Sequence, residues 1–268
     1  MTSLQKFAAL ILTGIALATV LSVAMLRTNY ATQFRNIPNA EPSRQHWLGA
    51  DDLGRDRFAR LAYGTAVSLS LAPIAAFISV ILAACIGGVA GYLGGTWERI
   101  ITAAVELVLC MPWLFLLIAV RAMLPLNISP LLSVIVTFSL LGSLGWAASA
   151  RVVCASVSSL RNSEFILRAR ASGTPNWRLL LVHLLPNLKP VLGAQFLISV
   201  PVFILTEANL GILGLGVSEP LPSWGSLLTE LESMHGFGSA PWKLVPLVLL
   251  VLVVISFQLI ISSDEVSA

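Results

Sequence analysis

Two carboxylates, Glu106 and Glu207, stand inside otherwise apolar stretches of this chain. An ionisable side chain at bilayer depth is costly, so such groups mark ion or proton pathways or buried partners. As a functional pair they would suit proton or cation coupling. As structural groups they would pair with Arg121, Arg151 or backbone atoms. A second charged set runs from His46 to Asp56, where Asp51, Asp52, Arg55 and Asp56 alternate in sign and Arg60 follows. Local ion pairs between such residues are worth ~0.2–1 kcal/mol each at a surface, and the run reads as a loop held by charge rather than a substrate contact. The third set is the basic, mixed-polarity segment Ser163 to Asn187, which lies between two strongly apolar blocks. Cys85, Cys110 and Cys154 are an odd, scattered trio with neither disulfide nor metal spacing, and read as apolar fillers. The chain carries no Gly-x4-Gly-Lys-Ser/Thr phosphate loop, which excludes an ATPase of that type.

The composition says what must position them. The chain has 268 residues, 57% hydrophobic and 11% charged, against about 45–50% apolar and about 25% charged in soluble domains. It is all-α and polytopic, with six transmembrane helices expected. The first, Phe7 to Leu26, is uncharged and long enough for a core of ~30 Å. A cleaved signal peptide would have an apolar region of only about 7–15 residues, so the span is expected to stay. The others are Ala66 to Leu93, ending at Gly94-Gly95, then Ile101 to about Val120, Leu126 to Ala150, Leu188 to Val217 and Trp242 to Ile261. Small residues in the second, Gly87, Gly88 and Gly91 among them, permit close helix packing in lipid. The net charge of +3 is too small to argue for nucleic acid.

Within the basic segment, Ser163 is placed to cap a short helix beginning at Glu164, whose charge suits the helix N-terminus. Gly173 can end that helix in a left-handed conformation. Thr174 can cap a second helix with Pro175 at its first position. Trp177, Leu180, Leu181 and Leu184 then fall on one apolar face, and Pro186 breaks the helix before the next span. Two short helices joined at a glycine would form a plug for a groove on a partner. By charge alone, the segment would equally suit anionic headgroups.

The spacing inside this segment, Ala169-x-Ala171-x-Gly173, nine residues, then His183-x-Leu185-Pro186, resembles the cytoplasmic coupling loop of bacterial ABC importer permeases. The outer loop resembles the signature of the C-type subunit of the dipeptide, oligopeptide and nickel permeases. It matches at His46, Leu48, Gly49, Asp51, Gly54, Arg55, Asp56, Arg60, Gly64, Ser68 and Leu69, and departs at Trp47, Ala50, Ala59 and Val67. Leu213-Gly-Leu-Gly216 and Pro222-Ser-Trp-Gly225 extend the likeness, which runs from about His46 to Pro246. Leu167-Arg168-Ala169 departs from the family's usual Glu-Ala-Ala, so an acidic contact is missing there.

The resemblance implies the type I importer permease fold. Residues 1–65 would form an N-terminal helix and extracytoplasmic loop, 66–263 the permease domain with its coupling loop at 160–187, and 264–268 a short tail. It implies a subunit in the bacterial inner membrane with both termini cytoplasmic. Its partners would be a second, similar permease, two ATP-binding subunits and an extracytoplasmic solute-binding protein. The chain itself would bind no cofactor and do no catalysis, with ATP held by the partners. Glu164, Arg168, Ala169, Ala171, Gly173, Trp177, His183, Leu185 and Pro186 would meet the ATPase. The solute would be a peptide, a nickel chelate or a related small molecule. Lys and Arg do not fix the orientation, since the sixteen divide evenly between the two sides; the coupling loop places the N-terminus inside. The competing classes are an ion-coupled secondary carrier using Glu106 and Glu207, and a non-transporting membrane scaffold.

Overall fold

A computed structural model describes residues 3–26, 28–123, 129–232 and 241–265. The regular elements among the described residues are helices, with two isolated bridges, Gln33 with Arg55 and Ala50 with Asp56, in the irregular stretch 28–56; residues 213–223 are also irregular. Helices are what a chain in lipid must form, since no water there can satisfy its backbone groups. The elements are α1 (Ser3–Met25), α2 (Arg57–Leu93), α3 (Gly95–Cys110), α4 (Trp113–Ala122), α5 (Pro130–Leu144) and α6 (Trp146–Arg161). They continue as α7 (Glu164–Ala171), α8 (Asn176–Arg178), a π-helical stretch Leu179–Leu184, α9 (Leu185–Ile212), α10 (Trp224–Glu232), a 3-10 turn Pro241–Leu244 and α11 (Val245–Glu265).

Among the described residues, five helices are long and apolar enough to cross a membrane, and six if α3 and α4 together make one broken span. That pair corrects the expected continuous third span. Met111 is extended (φ −77, ψ 129), as a residue before proline prefers. Pro112 offers no N–H to the ladder, and the two halves diverge by 76°. The fourth span reaches Arg161, beyond the expected end at Ala150, across an interruption at Gly145; its expected start at Leu126 lies outside the described residues.

By their internal contacts the residues divide into two units. One comprises residues 1–72, 120–138 and 201–268. In it α1 lies along α11, with Gln5 Nε2 donating to the Ile260 carbonyl at 3.0 Å. Its core holds Trp224, fully buried, whose indole N–H donates to Thr65 Oγ1 at 3.1 Å and whose backbone N–H donates to Ser68 Oγ at 3.3 Å. The other unit comprises residues 73–119 and 139–200. There α2 and α6 touch backbone to backbone at Gly87 and Ala150, and Val153, Val157, Ile166, Leu179, Leu184 and Leu188 form a buried cluster.

Candidate functional site

The basic segment belongs to the second unit. Residues Glu164–Ala171 form the expected short helix, but Ser163 does not cap it with its side chain. Its hydroxyl turns back and donates to the Leu160 carbonyl at 2.5 Å. Glu164 and Arg168 pair at 2.9 Å one turn apart, both more than four-fifths exposed. Gly173 has φ +78, the left-handed turn the sequence called for. It ends the helix with the Thr174 N–H reaching back to the Ala169 carbonyl.

The second half differs from expectation. Pro175, not Thr174, precedes the next helix, and after three residues the backbone opens into the π-helical stretch. The Leu185 N–H then reaches five residues back to Leu180. Pro186 does not break anything, because α9 runs through it. The wider turn just before it moves the carbonyls that a proline ring would strike, and the missing N–H falls where the ladder has already shifted. The same shift splits the expected apolar face. Leu184 goes inward with Leu179 onto Ile166 and Val157, while Trp177 is 58% exposed with the Arg178 guanidinium 5.4 Å over its ring. The side chain of Leu181 lies outside the described residues. Ala169 packs partly against the cluster; Ala171 and Pro186 are exposed, and His183 is half-buried. What remains outward is an apolar set, Phe165, Leu167, Trp177, Leu180, Val182 and Leu185, beside Arg168, Arg170 and Arg178. A link the sequence did not suggest fastens this segment to α2, where Tyr92 Oη donates to Asn176 Oδ1 at 2.8 Å.

The charged loop belongs to the first unit, and its ion-paired core at Asp51, Arg55, Asp56 and Arg60 is buried, while Trp47, Asp52 and Leu53 stay exposed. Asp51 is fully buried and Arg60 is 1% exposed. Asp51 Oδ1 accepts the backbone N–H groups of Leu53 (3.0 Å) and Arg55 (2.7 Å), and its Oδ2 accepts Arg55 Nε at 2.6 Å. Asp56 caps α2 by accepting the Ala59 N–H at 3.0 Å, and His46 Nδ1 lies 2.7 Å from its other oxygen. Gly49 and Gly54 form the turns between these residues. The partners that the sequence could not supply are Glu219 and Glu230. Arg60 holds Glu219 in a fork at 2.8 and 3.1 Å, Arg55 joins the same carboxylate, and Arg57 meets Glu230 at 3.3 Å. In the sequence both acids lie between the fifth and sixth expected spans, which marks no pairing by itself.

Burial pushes the Glu219 carboxyl up, and the hydrogen bond and charge of Arg60 with the charge of Arg55 bring it to a net value below its ordinary 4.5. A carboxyl held low in the folded state stabilises the fold above its unfolded value. That contribution is lost as pH falls through the folded value. Glu219→Gln is therefore expected to lower thermal stability near neutral pH and to flatten the loss of stability below about pH 4.5. Melting curves of both proteins between pH 3 and pH 7 check this, and parallel acid limbs would contradict it.

The two intramembrane carboxylates fall in different units. Glu207 is fully buried, and the Gly225 N–H donates to its Oε2 at 3.4 Å. Of the partners expected for Glu207, the backbone is the one found. Arg121 instead donates to the Leu215 and Gly216 carbonyls and to Ser133 Oγ. Glu106 and Arg151 are both exposed, and no ion pair joins them among the described residues.

Residues 83–264 match the family model described as the binding-protein-dependent transport system inner membrane component. The chain belongs to this permease family. That bears out the ABC permease resemblance and the type I fold it implied. A dipeptide transport system permease of Alkalihalophilus pseudofirmus is 34% identical over 94% of this chain and 80% of its own length. An oligopeptide transport system permease of Bacillus subtilis is 32% identical over 88% and 74% respectively, and a glutathione transport system permease of Pectobacterium atrosepticum is 33% identical over 73% and 63%. The permease family matches the main reading of the sequence, not the secondary carrier or the scaffold.

Proposed function

We propose that this permease forms half of a translocation path for peptides or a related small solute, a nickel chelate included, in an ATP-driven importer. Its partners are a second homologous permease, two ATP-binding subunits and an extracytoplasmic solute-binding protein, and both of its termini face the cytoplasm of a bacterial inner membrane. The chain binds no cofactor and performs no catalysis; ATP is held by the partners. One observation carries the reading. The outward apolar and basic face at Phe165 to Leu185 is continuous, through the π-helical stretch, with the spanning helix α9. A push on that face therefore moves a helix of the bundle, as a rigid-body switch requires.

The orientation is tested by reporter fusions at Asn39 and Thr174, which should report opposite sides. The same side for both would overturn the orientation. The lever is tested at Gly173. A side chain there meets no atom within 4 Å, so Gly173→Val adds only backbone strain, roughly 1 kcal/mol or more. Membrane insertion and protein level should stay near normal. Co-purification of the ATPase should weaken, or ATP hydrolysis should run without uptake. Normal uptake at normal turnover would remove the loop from the coupling path, and gradient-driven uptake by this subunit alone would replace the importer with a secondary carrier.

A further inference from the structure

In the first unit a cavity of about 650 Å³ lies between the C-terminal end of α1 and the loop that follows it. Its walls differ in chemistry. On α1 the wall is Ala18, Leu21 and Met25, a stripe at spacings of three and four on one face of a spanning helix. Leu21 and Met25 are more than half exposed. The loop supplies Arg44, Gln45 and Trp47. The Trp47 ring is 66% exposed and tilts against Phe58, with the centroids 5.0 Å apart. An amphipathic ring so placed suits the boundary between acyl chains and headgroups. Arg44 is exposed and has no ion pair among the described residues. Asp56 also reaches the cavity, but it is 4% exposed, accepts the Ala59 N–H and lies 2.7 Å from His46 Nδ1. The charge left free on the polar wall is the Arg44 guanidinium, which stays protonated at any physiological pH.

We infer that this cavity holds a phospholipid with a net negative headgroup. Its acyl chain lies along Ala18, Leu21 and Met25, and its phosphate meets Arg44 by charge-assisted hydrogen bonds. A groove that is apolar along a spanning helix and cationic on its loop side fits an amphiphile. A soluble anion would leave the apolar wall uncovered, and an apolar helix of another subunit would cover Arg44 without a counter-charge, which is costly. Basic residues at a membrane surface attract anionic lipid. The binding does not depend on the importer reading.

The test uses two photoactivatable lipids with the same diazirine-bearing acyl chain, a phosphatidylglycerol and a phosphatidylcholine. Each is present at trace level in phosphatidylcholine nanodiscs that hold the full-length chain. Residues 18–26 should take about fivefold more label from the phosphatidylglycerol, the usual effect of one basic residue beside an anionic lipid. Phe7 and Leu10, exposed on the same helix but outside the cavity wall, should take equal label from both. Arg44→Gln should bring the ratio at residues 18–26 close to one. Leu21→Trp, which fills the groove, should lower the label there from both lipids. Glycerol phosphate, the headgroup without chains, should not compete. The comparison within α1 needs no variant and covers the case in which one fails to fold. Equal label from both lipids at residues 18–26, an unchanged ratio in Arg44→Gln, full label in Leu21→Trp or displacement by glycerol phosphate would overturn the inference. So would loss of the ratio in the assembled importer, which would give the groove to another subunit.

Discussion

Asp51→Ala is expected to cost the fold about 3–5 kcal/mol, the range for a buried ion pair broken on one side. That is a large part of the ~5–15 kcal/mol by which proteins are stable. The reason lies in what one carboxylate holds. Asp51 is fully buried, takes two backbone N–H groups and Arg55 Nε, and lies 3.7 Å from Arg60 Nε. Alanine leaves two buried guanidiniums sharing Glu219, and it leaves the turn at Leu53 to Arg55 without its acceptor. Asp51→Asn keeps one oxygen for those N–H groups and loses only the charge, so it should cost less than alanine. Thermal melts followed by tryptophan fluorescence, with limited proteolysis of the loop, measure both. An Asp51→Ala protein melting within a degree or two of the parent would show that the charged loop is not what holds this end of the molecule. Restored stability on adding the outer partners would show instead that the loop is completed by the complex.

Gly87→Val should be as damaging, for a reason with no charge in it. A Cβ at Gly87 would lie 2.2 Å from the Ala150 carbonyl oxygen and 3.0 Å from its carbon, and one turn on, a Cβ at Gly91 would lie 2.5 Å from the Cys154 carbonyl oxygen. These are backbone atoms of α6, which no rotamer change can clear. In lipid, where apolar burial gives helices little reason to associate, close packing of small residues is the main attraction. Forcing α2 and α6 apart forfeits that contact, along with the cluster of Ala83, Val105, Ala147 and Ala150 beside it. The loss is expected at about 3 kcal/mol or more, at or beyond the top of the usual overpacking range. Gly88 is the internal control, since a Cβ there meets nothing within 4 Å. Gly88→Ala should change stability by no more than about 1 kcal/mol, and in the favourable direction through helix propensity. Denaturation in mixed micelles compares the two. Equal effects at Gly87 and Gly88 would mean that the close approach of α2 and α6 does not govern packing.

Features set by neighbours in the chain were legible from residues alone. Long uncharged stretches had to be helices, because lipid leaves a backbone no other way to pair its N–H and C=O groups. Gly94-Gly95 ended α2 and Gly173 ended α7 with positive φ, since glycine carries no Cβ penalty in that region. The alternating signs around Asp51 announced ion pairs, and Asp51 with Arg55 is such a pair within one turn of chain. What tertiary structure decided was every pairing across distance. Arg60 meets Glu219 from 159 residues away, and that contact turns the core of a surface charge loop into a buried one. Glu207 takes the Gly225 backbone where the sequence also offered Arg121, which donates instead to the Leu215 and Gly216 carbonyls. Pro112 and Pro186 are the same residue type with opposite outcomes. Pro112 lies where the chain bends by 76°, while Pro186 sits in an unbroken helix because a π-helical stretch widens the turn before it. Proline removes one donor and one volume of space; whether the ladder around it can shift to absorb that loss depends on what the flanking turns pack against, and Leu179 and Leu184 found their partners in Ile166, Val153 and Val157.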